Sequence, residues 1–301
     1  MGEMLTGKHV AFLGGDARQL EVIKNCIQLK AKVSLIGFDN LESPFSGAVR
    51  RELEPEWFST VDLLILPILG TDEDGHVGSI FTTRSMVLTE EHISKLPAHA
   101  MVVTGIAKSY LQNLCSDNGI RLVELLKRDD VAIYNSIPTV EGALMMAIQS
   151  TNITIHGSKS VVLGLGRVGL TLARTLHAIG AQVKVGVRTP AQVARSVEMG
   201  ITPFYTENLP QEVGNVDLLF NTVPSPIVTE PVLAAMPATA VIIDLASKPG
   251  GTDFAFAKKR GIKAMLAPSL PGIVASKTAG RILAQTITRL LGEELGEEDR
   301  P

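Results

Sequence analysis

The segment Val161-Val162-Leu163-Gly164-Leu165-Gly166-Arg167-Val168-Gly169 constrains this chain more than any other. An apolar strand runs into G-x-G-x-x-G and then into a helix through Leu170, Ala173, Leu176 and His177. Each glycine has its own reason in that arrangement. Gly164 permits a tight turn, Gly166 lets backbone amides approach a pyrophosphate, and Gly169 lets the helix close on its strand. Three glycines at this spacing also arise by chance, so the context decides. Val183-Lys184-Val185-Gly186-Val187 supplies the second strand of a βαβ unit, which ends at Arg188-Thr189, 19 residues beyond Gly169 (188 − 169). Nucleotide-binding units commonly place an acid there for a ribose 2′-hydroxyl, yet no Asp or Glu lies between Lys184 and Thr189. A guanidinium with a neighbouring hydroxyl suits a 2′-phosphate instead. The residues point to NADP, with NAD as the alternative.

With 301 residues and 45% hydrophobic content, the chain can form two domains that each bury a core. Its 28 basic and 31 acidic residues give a net charge of −3 with no concentrated basic run, which excludes the electrostatic footprint of a nucleic-acid binder. Cys26 and Cys115 have no metal-ligand or C-x-x-C spacing, so they read as free thiols in a reducing compartment, and no metal site is expected. No apolar run reads as a membrane span, and no signal-peptide segment precedes the strand at His9–Leu13. A cytoplasmic protein with a small-molecule partner is expected.

Strands alternate with helices in both halves. The first half reads as His9–Leu13, a helix near Arg18–Leu29, then Lys32–Gly37, Leu63–Pro67, Met101–Thr104 and a further strand at Val131–Tyr134. The second reads as Ser160–Leu163, Lys184–Val187, Leu218–Asn221, Val241–Asp244 and Lys263–Leu266. Short apolar strands separated by helices imply α/β architecture with parallel sheets covered on both faces. The expectation is two doubly wound, Rossmann-like domains with a cleft between them. The first spans 1–140 and is completed by a C-terminal helix at 275–292. The second spans 150–274, and 293–301 forms a flexible tail.

Ligands of open α/β sheets bind at the carboxyl ends of the strands. In the first half, Gly14-Gly15-Asp16-Ala17-Arg18-Gln19 places an acid and an arginine at a helix start. Arg18 can clamp a substrate carboxylate with Asp16 and Gln19 beside it; alternatively, Asp16 caps the helix and Arg18 lies in solvent. A second nucleotide is a further alternative for this turn, although its glycine spacing differs. In the second half, Asn221-Thr222-Val223-Pro224 ends a strand where a nicotinamide-side ribose sits, and Asp244 ends the next, ahead of Ser247 and Lys248. Lys248 can touch a carboxylate or shuttle a proton. Lys277 and Thr278 open a helix, where a lysine opposes the dipole and so suits a ligand. Thr139 and Glu141 lie between the halves, Glu141 as a base or as a first-turn carboxylate complementing the dipole.

Together these residues resemble a known family, the A subunits of dipicolinate synthase. The resemblance runs through G-G-D-A-R-Q at 14–19, N-S-I-P-T-V-E-G-A at 135–143, G-L-G-R-V-G at 164–169, V-G-V-R at 185–188, N-T-V-P at 221–224, D-L-A-S-K-P-G-G at 244–251 and K-T-A-G at 277–280. It implies oxidation of dihydrodipicolinate, or its hydroxy-tetrahydro precursor, to pyridine-2,6-dicarboxylate in the mother cell of a sporulating bacterium. It also implies that a flavoprotein-like B subunit is the partner, and a homo-oligomer is expected as well. The fold is similar to alanine dehydrogenases and D-2-hydroxyacid dehydrogenases, but the His–carboxylate pair of the latter has no counterpart at Leu266–Gly272. That gap leaves two other readings: a nucleotide-binding regulatory subunit with its chemistry on a partner, and an alanine-dehydrogenase-like enzyme.

Overall fold

The computed structural model of the chain describes residues 4–43 and 45–294. Its first elements are β1 (His9–Leu13), α1 (Ala17–Gln28), β2 (Lys32–Ile36), β3 (Ala48–Arg50), β4 (Leu63–Ile65), α2 (Glu90–Ile93), β5 (Met101–Thr104), α3 (Ser109–Asp117) and β6 (Arg121–Glu124). Next come α4 (Asp129–Ser150), β7 (Lys159–Leu163), α5 (Arg167–Ala178), β8 (Gln182–Val187), α6 (Pro190–Glu198) and β9 (Thr202–Tyr205). The last are α7 (Leu209–Glu212), β10 (Leu218–Asn221), α8 (Glu230–Ala235), β11 (Val241–Asp244), α9 (Phe254–Lys259), β12 (Lys263–Leu266), α10 (Leu270–Val274) and α11 (Ser276–Glu294). Among the described residues, those through Tyr134 with those from Ala275 to Glu294 form one compact unit, and Asn135–Val274 form the other.

Each unit holds one six-stranded sheet, ordered β3-β2-β1-β4-β5-β6 in the first and β12-β11-β10-β7-β8-β9 in the second. Every pairing is parallel. Counted within each unit, the order is the same, and the chain reverses direction between its first and fourth strands, as in a dinucleotide-binding fold. The apolar runs explain the burial. All of β1, β4 and β10 is buried, with separate apolar clusters on the two faces of each sheet. A fully buried Leu or Phe contributes about 1.5–3 kcal/mol relative to an exposed one, so these central strands anchor each unit.

The C-terminal helix α11 belongs to the first unit and packs on α1. Asn25 donates to the Thr288 hydroxyl at 2.7 Å, and a Cβ at Gly280 would collide with the Arg18 carbonyl. The helices approach closely because Gly280 has no side chain.

Three sequence-based expectations change. Val131–Tyr134 is not a strand but part of α4, whose first-turn acids Asp129 and Asp130 complement the helix dipole. The sixth strand is Arg121–Glu124 instead. Tail residues Glu293 and Glu294 continue α11, while 295–301 lie outside the described residues. Finally, α4 is long and apolar enough to cross a membrane by length and composition alone. Part of it serves cores, since Val131 joins the first unit's cluster and Val140, Ala143 and Ala147 join the second's, while Ile133, Tyr134, Ile137 and Ile148 are exposed.

Candidate functional site

At the carboxyl edge of the second sheet, β7 turns into α5 through the three glycines. Gly164 has φ +89°, and a Cβ there would lie 2.7 Å from the Thr222 hydroxyl. A Cβ at Gly169 would collide with the Gly164 carbonyl. Gly166 differs from both, because a Cβ there would meet nothing within 4 Å. It is the N-cap of α5 and offers no side chain to the helix end, so the first-turn N–H groups face open space. A cradle with that shape fits a pyrophosphate. Leu165 and Val168 are half-buried beside it, and Arg167 is exposed.

Arg188 stands exposed just beyond β8, and its guanidinium makes no hydrogen bond or ion pair to any described residue. Its backbone N–H donates to the Gln192 side chain at 2.9 Å. Thr189 is the N-cap of α6, its hydroxyl accepting from the Gln192 N–H at 3.3 Å. The hydroxyl is therefore half-engaged, and Arg188 carries most of the capacity for an anion.

Asn221 and Asp244 do not reach the surface. Both are 0% exposed, and Asn221 donates to Asp244 and to the Val223 carbonyl, each at 3.0 Å. Asp244 also accepts from the N–H groups of Ala246 at 3.0 Å and Gly251 at 2.9 Å, and from the Thr252 hydroxyl at 2.7 Å. These two residues fix the loops that follow β10 and β11 rather than touch a cofactor. Thr222 is likewise tied to its strand, donating to the Leu163 carbonyl at 2.7 Å. Pro224, Ser247 and Lys248 lie exposed on those loops, with Val223 half-buried.

The first unit's corresponding turn is built differently. Asp16 caps α1 and forms a capping box with Gln19, which is 2% exposed and donates onward to the Leu66 carbonyl at 3.4 Å. Gln19 is thus a structural residue. Arg18 is neither solvated nor wholly free: it is 8% exposed, with Nε and Nη2 on the Asp16 carboxylate. Burial alone would raise the Asp16 carboxyl, but the hydrogen bonds and charge of Arg18 outweigh it and hold the group below the usual carboxylate range. Nη1 of Arg18 has no partner among the described residues. The loop at 78–80 lies across the glycines, where Gly15 donates to the Gly78 carbonyl at 3.0 Å. The alternative of a second nucleotide at this turn is not supported, because the chain's own backbone occupies the place.

Thr139 and Glu141 sit inside α4. The Thr139 hydroxyl donates to the Asn135 carbonyl at 2.7 Å, while Glu141 is exposed, well past the first turn where it could complement a dipole. Lys277 and Thr278 occupy the first turn of α11, both exposed. Among the described residues, one cluster of metal-ligating type occurs, Asp72, Asp74 and His76. Asp72 already accepts from the N–H groups of Asp74 at 2.9 Å and His76 at 2.8 Å, so the cluster organises its own turn.

A parallel sheet of this order with an open glycine-bound helix terminus defines a dehydrogenase-type nucleotide domain, the fold of enzymes that use nicotinamide cofactors. Residues 135–299 match the family described as alanine dehydrogenase/PNT, C-terminal domain, and residues 9–126 match the N-terminal domain of the dipicolinate synthase A subunit. The chain is 50% identical over 99% of its length, and 100% of the relative's, to the dipicolinate synthase A subunit of Bacillus subtilis. It belongs to the family of dipicolinate synthase A subunits. A crystal structure of the dipicolinate synthase A subunit from Bacillus halodurans is 54% identical with TM-score 0.93, covering 96% of this chain and 99% of that one. A transhydrogenase from Sinorhizobium meliloti shares the fold at 17% identity and TM-score 0.69, covering 95% of this chain and 94% of that one.

Proposed function

We propose that this chain is the nucleotide-dependent oxidising subunit that forms pyridine-2,6-dicarboxylate, using NADP, from dihydrodipicolinate or its hydroxy-tetrahydro precursor. The observation that carries this reading is the open Gly166 helix end together with the unpaired guanidinium of Arg188 at the ribose position. Arg167 and the first-turn N–H groups of α5 would hold the pyrophosphate, and Arg188 the 2′-phosphate. The cofactor supplies a hydride acceptor. The dihydro ring loses one hydride and one proton as it becomes aromatic, and the hydroxy-tetrahydro precursor first loses water. Aromatisation supplies driving force, which fits a site with no His–carboxylate pair at Leu266–Gly272. In the first unit, Arg18, Lys277 and Thr278 are the proposed substrate contacts; in the second, Ser247 is the proposed substrate contact and Lys248 the proposed proton carrier, with Glu141 as the alternative.

The reading includes a flavoprotein-like B subunit, homo-oligomerisation of this chain, and action in the cytoplasm of the mother cell during sporulation. Absorbance at 340 nm during incubation with NADP and dihydrodipicolinate, with and without the B subunit, tests it. NADPH formation is the expected result, and none under either condition overturns the reading. The lack of a His in Leu266–Gly272 to form a His–carboxylate pair leaves a second reading, a regulatory subunit whose chemistry lies on its partner. Single-turnover NADP reduction by the isolated chain would exclude it.

A further inference from the structure

The first unit's crevice lies between β1 and β4, where the strand order reverses and ligands of open parallel sheets bind. The chain itself fills the part a pyrophosphate would take. Gly15 donates to the Gly78 carbonyl at 3.0 Å, Ile80 donates back to the Gly15 carbonyl at 2.9 Å, and the capping box closes the α1 terminus. Three large apolar side chains stand exposed on the segments at this edge. Leu69, Ile80 and Ile106 are 62%, 67% and 42% exposed and come from three separate segments. Ile80 is held beside the β1 turn by the bond just given, and Ile106 is held by its N–H to the Ile68 carbonyl at 2.7 Å. Leu69 follows Ile68 and precedes Gly70, where a Cβ would lie 3.0 Å from the Ile106 carbonyl.

Single exposed apolar side chains need no explanation. Three on segments that those backbone bonds tie to one sheet edge, in the unit whose buried Arg18 keeps an unpaired Nη1, do. We propose that they form the ring-binding half of a small-acid site: a flat ring lies against Leu69, Ile80 and Ile106 while one of its carboxylates takes Arg18 Nη1. This rests on the reading that the substrate is a cyclic dicarboxylate, and it adds the residues that select a ring. An open-chain diacid satisfies the arginine equally well, but it loses rotational freedom on binding and covers the apolar rim poorly.

The test titrates pyridine-2,6-dicarboxylate and glutarate, which has the same number of atoms between its carboxyl groups, into the full chain by calorimetry. Wild type is compared with Ile80→Ser and Leu69→Ser, and NADP affinity and melting temperature are measured alongside. Both side chains are mostly exposed, so serine leaves the melting temperature nearly unchanged. The expected result is a wild-type preference for the ring acid that falls about three- to tenfold in each variant, with glutarate and NADP affinities held. Unchanged ring-acid affinity in both variants, or a wild type that binds glutarate equally well, overturns the inference and leaves the substrate reading standing. A wild type that binds NADP but no ring acid overturns both.

Discussion

The guanidinium of Arg188 faces a choice between two cofactors that differ by one phosphate. A lost charge-assisted contact is worth about 1.5–3 kcal/mol, or roughly ten- to a hundredfold in affinity. Arg188→Ala should therefore raise the NADP dissociation constant by that factor and leave NAD nearly unchanged. Equal weakening of both would assign Arg188 to the fold, and a wild-type preference for NAD would refute the role. His9 governs a different property. Its ring is buried, with Nε2 at 2.8 Å from the Ser34 hydroxyl and Nδ1 at 2.9 Å from the Thr60 hydroxyl. Burial, then the charges of Lys32 and Arg51, hold its pKa below 6.5 against the Thr60 carbonyl and Asp62. The unfolded chain therefore takes up this proton more readily than the folded one. The stabilisation is complete above pH 6.5 and is lost as pH falls through the folded value. The melting temperature should drop from pH 7 to pH 5, and His9→Gln should flatten part of the slope, with His92 contributing in the same direction. Parallel slopes would clear His9. At this scale the tight turn at Gly164 and the close approach at Gly169 were legible because a missing side chain is written in the sequence. The capping box was spelled as D-x-x-Q at 16–19. The burial of Asn221 and Asp244 was not, since it depends on loops folding over them.

At the level of elements, the crossing of α1 and α11 depends on Gly280. An added methyl meets backbone rather than a flexible side-chain tip, so Gly280→Ala should cost about 1–3 kcal/mol, at roughly 2–4 °C per kcal/mol. Thermal unfolding measures this directly, and a stability equal to wild type would mean that the helices can part without penalty. The continuous apolar strands were readable because burial on both faces leaves no polar alternation. Three strands escaped: β3 is Ala-Val-Arg, β6 Arg-Leu-Val-Glu and β9 Thr-Pro-Phe-Tyr, short sequences of mixed polarity at or near sheet edges. The start of α4 reads as a strand because Val131, Ile133 and Tyr134 favour strands locally and Pro138 interrupts the helix middle. Packing of Val140, Ala143 and Ala147 overrides both.

For the whole molecule, nucleotide binding couples to stability. At a hundred times its dissociation constant, NADP should stabilise the folded chain by about 2.7 kcal/mol. Differential scanning calorimetry should show a shift that grows with NADP and vanishes in a Gly166→Glu variant, whose side chain enters the open cradle; an undiminished shift in that variant would place the nucleotide elsewhere. The alternation of strand and helix made two parallel sheets legible, but their identical strand order emerges only in three dimensions. That identity has a further consequence at the first unit's glycine turn. There the Gly78 carbonyl competes with any outside anion for the same amide, and it does so as a tethered group, never diluted and never exhausted. An anion that seeks the Gly15 amide must displace a neighbour that is always present, and only a rearranged 78–80 loop would let it win.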